Sequence, residues 1–262
     1  MLSLNMKHLF LELSSCKPWL YALWHSLGLT LISALLVWAL DLPLQTLMPL
    51  FAVAATGSLF ASPAIVRSLG LDAQACMAMT LCSTLLMPFV LLLNAALAQL
   101  WIGQDAVSID FIEYSRRLLI YIVLPIAISL FAPRLFGASR VNAAVTRISP
   151  YTILVVFFFP LGLMGAFRQQ FDVDPRSALL WLALAFVMCL IIFALSYALY
   201  RRHSADLALM AAITATNRNV LLTYSVAGIY LGSDYMVYMG AMQLPIYFLP
   251  ICVFFFRKRS KS

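Results

Sequence analysis

Charge is what this sequence has least of. Asp, Glu, Lys and Arg make up only 10% of the 262 residues, 64% are hydrophobic, and mean hydropathy is +0.96. No soluble core of this size needs so much apolar surface, which excludes a soluble globular fold. Long polar connectors are missing too: the longest, IGQDAVSIDFIEYSRR, has sixteen residues, too few for an inserted soluble domain. Metal-ligand spacing is absent among the five cysteines. Cys76, Cys82, Cys189 and Cys252 lie inside apolar runs and read as small buried side chains, not as disulfides. The opening MLSLNMKHLFLELSS lacks the basic start, apolar centre and small-residue cleavage site of a signal peptide, so the first span is expected to insert uncleaved. None of the ten acidic residues falls near the middle of an apolar run, and no nucleophile–base cluster is visible. Both absences disfavour an intramembrane enzyme.

What is present is a series of apolar runs, each long enough to cross a hydrocarbon slab of roughly 30 Å as a helix. The runs are continuously apolar where barrel strands would alternate, so an all-α polytopic membrane protein is expected. Eight spans are predicted: Trp19 to Leu40, Thr46 to Leu69, Ala73 to Leu100, Leu118 to Phe136, Ile148 to Phe167, Ala178 to Tyr200, Leu207 to Tyr230 and Tyr235 to Phe256. The net charge of +7 is scattered in ones to threes between spans, which reads as an orientation signal and not as a nucleic-acid surface. Of the seventeen Lys and Arg, Arg116, Arg117, Arg168 and Arg176 fall on one side, Arg218 in mid-span, and the other twelve on the side of the termini. The termini are therefore expected in the cytoplasm. In the connector, 101–115, the stretch from Asp110 reads as an amphipathic turn joining two halves.

Two apolar segments are interrupted in matching ways. ITATNRNVLLTYSVAG places Asn217, Arg218 and Asn219 side by side in a membrane span, where a charge is expensive. TGSLFASPAIVRSLG carries Thr56, Gly57, Ser58, Ser62 and Pro63. A proline follows each knot 26 residues later, Pro88 after Ser62 and Pro245 after Asn219, and the two pairs of spans should run in opposite directions. Interrupted helices at corresponding positions of inverted halves point to a transporter site. Pro63 is expected to break or kink the second span, and the freed backbone must be buried in protein or line a wet cavity.

The block ASPAIVRSLGLDAQACMAMTLCSTLLMP resembles the fourth and fifth helices of the bile acid:sodium symporter family, and ATNRNVLLTYSVAGIYLG resembles its ninth. LSLNMKHLFLELSSCKPW looks like the approach to that family's third helix. The resemblance implies a bacterial-type member in an inner membrane, with ten helices in two inverted five-helix repeats and two discontinuous helices crossing in the core. The matching part starts at the third helix. The expectation is a six-helix core, 17–100 and 177–256, with half a panel, 116–168, so that the chain alone is either poorly stable or associates as a homo-oligomer through spans four and five. The resemblance also implies sodium ligands, and here they are altered. Thr214 stands where the family has a Glu, Arg218 where it has a Gln, Pro63 where it has an Asn, and a further Gln aligns near Gly28. Asn219, Ser62 and Thr80 match, leaving a degraded sodium set of Ser62, Thr80 and Thr214. Sodium coupling is not expected where a carboxylate has given way to a fixed positive charge.

Each residue also has a plainer reading. Arg218 either pins a broken helix by donating to freed carbonyls or meets an anionic substrate as a built-in cation. Asn217 and Asn219 can cap the break, touch solute, or both. Ser58, Ser62 and Thr80 are common interhelical hydrogen-bonding residues, and Pro63 can be structural alone. His25, eight residues after Lys17, is expected near the cytoplasmic interface. Gln243 and Tyr247 share a stripe that could edge a cavity. The leading expectation is a secondary transporter of a small organic anion, with no other cofactor. A non-transporting sensor or assembly protein on the same scaffold is the alternative, and an intramembrane enzyme the weakest reading.

The charge asymmetry has a direct check. Reporters fused after Ser262 and at Arg140 should both read as cytoplasmic; external readings at both positions would refute the orientation.

Overall fold

With polar side chains this sparse, most backbone N–H and C=O groups can be satisfied only inside helices. The computed structural model describes residues 6–103 and 109–259, and within them it is helical with no β-strand. Residues 1–5, 260–262 and 104–108, the last a part of the expected connector, lie outside the described residues. The short α1 (Met6–Ser14) brings Leu9 against Met77 and Ala78. There follow α2 (Cys16–Ala39), α3 (Leu47–Ala55), α4 (Ser62–Ser68), α5 (Ala73–Ile102), α6 (Phe111–Leu118), α7 (Leu124–Phe136), α8 (Ala138–Val173), α9 (Pro175–Tyr200), α10 (Ala205–Thr216) and α11 (Val220–Arg259).

Among the described residues five helical stretches are long and apolar enough to span a membrane: Cys16–Ala39, Ala73–Ile102, Phe111–Phe136, Pro175–Tyr200 and Val220–Phe255. Two apolar helices, Leu44–Ala55 and Ala205–Thr216, are shorter, and each stops at an interruption. The chain is an all-α membrane protein. The expected gap between Tyr230 and Tyr235 is a bend inside α11 at Gly232, where φ of 73° and ψ of −179° suit glycine. A π turn over Leu119–Val123 precedes Pro125, which has no N–H to donate, so the helix changes hydrogen-bond spacing and continues.

Acidic residues are placed at helix starts. Asp72 accepts from the N–H groups of Gln74 and Ala75, Asp110 from Ile112 and Glu113, and Asp174 from Ser177. Each caps donors that the helix cannot pair, and each favours the positive end of the helix dipole. The stretch from Asp110 is indeed amphipathic: Phe111 and Ile112 are exposed, and Tyr114 is buried with its hydroxyl donating to Pro88 O at 2.9 Å. Glu113 pairs with Arg116 and Arg117, and Arg117 donates to Ser225 O, which ties α6 to α11.

One apolar core joins α2, α3, α5, α9, α10 and α11 through residues such as Tyr21, Phe51, Met87, Met188, Met210 and Tyr238. α8 packs on α11 and α9, and α7 packs on α8. The Phe111–Phe136 stretch buries few of its residues, Tyr114 and Ile122 among them, and leaves much of its apolar surface outward.

The α8–α11 contact depends on a small residue. A Cβ on Gly240 would lie 2.8 Å from Phe167 Cβ and 2.9 Å from Leu163 O, so the helices approach as small-residue interfaces in membranes do. Gly240→Ala should destabilise the fold by about 1–3 kcal/mol, read as lowered thermal stability in detergent. Gly162→Ala, whose Cβ would meet nothing within 4 Å, should be neutral or stabilising; equal behaviour of the two variants would refute the contact.

Candidate functional site: the crossing of two interrupted helices

The chain leaves the helix at Thr56, with φ −60° and ψ 133°, and resumes it at Ser62. The expectation that Pro63 breaks the span is corrected: the interruption, 56–61, comes before it. Pro63 sits in the first turn of α4, where its missing N–H costs nothing, so it restarts the helix and does not kink it. The second interruption is shorter. Asn217 departs at φ −79° and ψ 86°, and Asn219 Oδ1 accepts from Leu222 N at 3.3 Å, capping α11.

The two interruptions satisfy each other. Leu59 N–H donates to Asn217 O at 2.7 Å, and Asn219 N–H donates to Gly57 O at 2.9 Å, so Ser58 and Arg218 face each other in a two-bond antiparallel bridge. α3 lies against α11 and α4 against α10, so the two interrupted segments run oppositely. Ser58 N–H donates to Ser83 Oγ at 3.0 Å, and the Ser83 hydroxyl donates to Thr80 O at 3.0 Å, anchoring the bridge to α5. Thr56 and Thr223 hydroxyls meet at 2.7 Å, and Tyr235 Oη donates to Val220 O at 2.8 Å.

Arg218 is buried at 2% exposure within this crossing. Its Nη1 donates to Thr56 O at 2.7 Å, whereas Nε and Nη2 have no hydrogen-bond partner among the described residues. No described carboxylate pairs with it. Asn217 is fully buried with neither amide atom partnered, and Ser62 Oγ is likewise unpartnered. Tyr21 bridges to α10 through Ala211 O at 3.2 Å.

Other expected residues are nearby but already engaged. The Thr214 hydroxyl donates to Met210 O at 2.7 Å and lies 3.2 Å from Cys76 Sγ, while the Thr80 hydroxyl donates to Cys76 O at 2.9 Å. Ser62, Thr80 and Thr214 offer only neutral hydroxyl oxygens. With Arg218 buried in the neighbouring interruption, four residues beyond Thr214, they are a poor fit for sodium, a hard cation that favours anionic and carbonyl oxygens. Gln243 donates to Met239 O of its own helix. His25, expected near the cytoplasmic interface, is buried between α2 and α9, with Nδ1 2.8 Å from Tyr21 O and Nε2 2.8 Å from Ser196 Oγ.

Most of the expected site residues are buried in the crossing. Ser58, Ser62, Thr80, Thr214, Asn217 and Arg218 are all buried, and only Asn219 is partly exposed. Tyr21, Ser83 and Tyr235 were not singled out in the sequence, because a lone Tyr or Ser in an apolar run carries no spacing signal. No protein-family model matches the chain, and no curated protein matches it.

Gly57 marks where the crossing meets α5. A Cβ there would lie 2.8 Å from Thr84 Cα and 2.9 Å from Thr84 N, both backbone atoms that cannot swing away. Gly57→Ala should therefore lower stability by about 1–3 kcal/mol and displace the Gly57–Asn219 bond. A melting temperature in detergent equal to that of the wild type would show that the approach is looser than described.

Proposed function

We propose that this chain is a secondary transporter of a small organic anion, working by alternating access to the crossing of its two interrupted helices. The observation that carries the reading is a buried guanidinium with unpartnered donors beside an unpartnered buried amide. A charge in this setting costs about 3 kcal/mol or more, and one carbonyl bond offsets only part of that. An anion accepting from Nε and Nη2 in the planar fork, with Asn217 and Ser62 alongside, would complete the set. The opposed running of the interrupted segments supports an inverted-repeat architecture, with site and symmetry axis together near mid-membrane.

In this reading the protein resembles the bile acid:sodium symporter family in fold, with eight spans in a bacterial inner membrane and both termini cytoplasmic. Arg218 acts as a tethered cation in place of sodium. The outward apolar surface of Phe111–Phe136 supports association through spans four and five. The Nη1 bond to Thr56 O favours a second reading, in which Arg218 is a structural pin and the chain a non-transporting sensor or assembly protein. An enzyme reading gains nothing from Asp72, Asp110 and Asp174, which cap helices.

Proteoliposomes offered a panel of labelled carboxylates and sulfonates separate the two. Uptake should persist when sodium is replaced by another monovalent cation. Arg218→Gln should abolish it or restore partial sodium dependence, and Arg218→Lys should weaken binding about tenfold or more, because an ammonium loses the planar fork. Steep sodium dependence in the wild type, or normal uptake by Arg218→Ala, would leave Arg218 as a pin.

A further inference from the structure

α2 and α9 run antiparallel, with His25 opposite Ser196 and Tyr21 beside Tyr200. They are joined by the His25–Ser196 hydrogen bond of 2.8 Å and by the near-parallel rings of His25 and Tyr200, 6.1 Å apart. Around that join the helices part and enclose a cavity of about 440 Å³. The volume is in the range of small-ligand sites. Its walls are apolar, with Leu29 and Ile32 on one side and Ile192 and Leu199 on the other. Trp24 and Leu195, also lining it, are 61% and 53% exposed, so the cavity opens on the outer face of the bundle, where lipid lies.

Arg202 lines one end of the cavity, just past the C-terminus of α9. No described carboxylate pairs with it. Arg201 is its neighbour, and the antiparallel register brings Lys17, at the start of α2, toward the same end. From Ile192 to Arg202 the chain rises about 15 Å, which is half of a hydrocarbon core of roughly 30 Å. The cavity thus has about the depth of one leaflet, with a basic group at one end.

We propose that this seam binds one anionic phospholipid, an acyl chain lying between α2 and α9 and the phosphate held by Arg202. Acyl chains cover any apolar face in a membrane, but here a concavity of leaflet depth ends at an unpaired guanidinium. Basic pockets between spans recognise anionic headgroups, and a guanidinium meets phosphate oxygens bidentately. Arg201 and Lys17 favour a lipid with net negative charge over a zwitterionic one. The inference stands apart from transport and needs no substrate to be known.

The test is native mass spectrometry of the full chain released from nanodiscs of phosphatidylcholine containing a minor share of phosphatidylglycerol. The wild type should retain one phosphatidylglycerol in preference to phosphatidylcholine. Arg202→Gln should weaken that retention about fivefold or more, a loss equivalent to about 1 kcal/mol. Gly28→Leu should abolish it, because Gly28 lines the cavity and a Cβ there meets nothing within 4 Å, so the new side chain fills the seam without backbone conflict. Glycerol phosphate, a headgroup without chains, should not compete. Equal retention of the two lipids overturns the proposal, as does Arg202→Gln behaving like the wild type. Wild-type retention by Gly28→Leu, or competition by glycerol phosphate, shows surface electrostatics alone and also overturns it.

Discussion

In hydrocarbon a backbone N–H or C=O has no water to turn to, so a helix that stops inside a membrane must find partners for the groups it releases. Here two helices stop at the same place and supply them to each other. Leu59 N–H finds Asn217 O, and Asn219 N–H finds Gly57 O. The rest of the core follows from that exchange. α3 and α4 must lie opposed to α11 and α10, α5 must come close enough for Ser83 to take Ser58 N–H, and residue 57 must be a glycine for Thr84 to pass.

Mutual pairing also decides what Arg218 can be. Its backbone is occupied in the bridge with Ser58, so its side chain is free for other work, and Thr56 O takes only Nη1. Had the fold needed a pin alone, a neutral donor would reach one carbonyl without the cost of burying a charge. The neighbouring unpartnered groups, Asn217 and Ser62, belong to the same few residues. The proposed binding site for an anion accounts for this concentration of donors better than helix repair does.

Much of this was legible from the residues. Composition alone implied a helical membrane protein, and the polar knots at 56–63 and 214–219 marked the places where helices end. Ser58, Asn217, Arg218 and Asn219 meet as the knots suggested. The break itself was less legible, because a proline tolerates a helix start as well as it ruins a helix middle, and sequence does not say which applies to Pro63. That His25 faces α9 was not legible either: its distance from Lys17 says how far along the helix it lies, not which face it is on. The Thr30–Asn94–Phe51 bonds, at 3.0 and 2.9 Å, and the close approach at Gly57 depend on neighbours distant in the chain, which no local pattern reveals.

The central claim is that the crossing opens to each side of the membrane in turn. Asn219, the partly exposed member of the site, gives a direct measurement: Asn219→Cys, with the five native cysteines replaced, treated with a membrane-impermeant thiol reagent in right-side-out and inside-out vesicles. Labelling from both sides, slowed from both by a transported anion, is the predicted result. Labelling from neither side, or from one side alone under all conditions, would contradict alternating access and leave the crossing as a fixed structural joint.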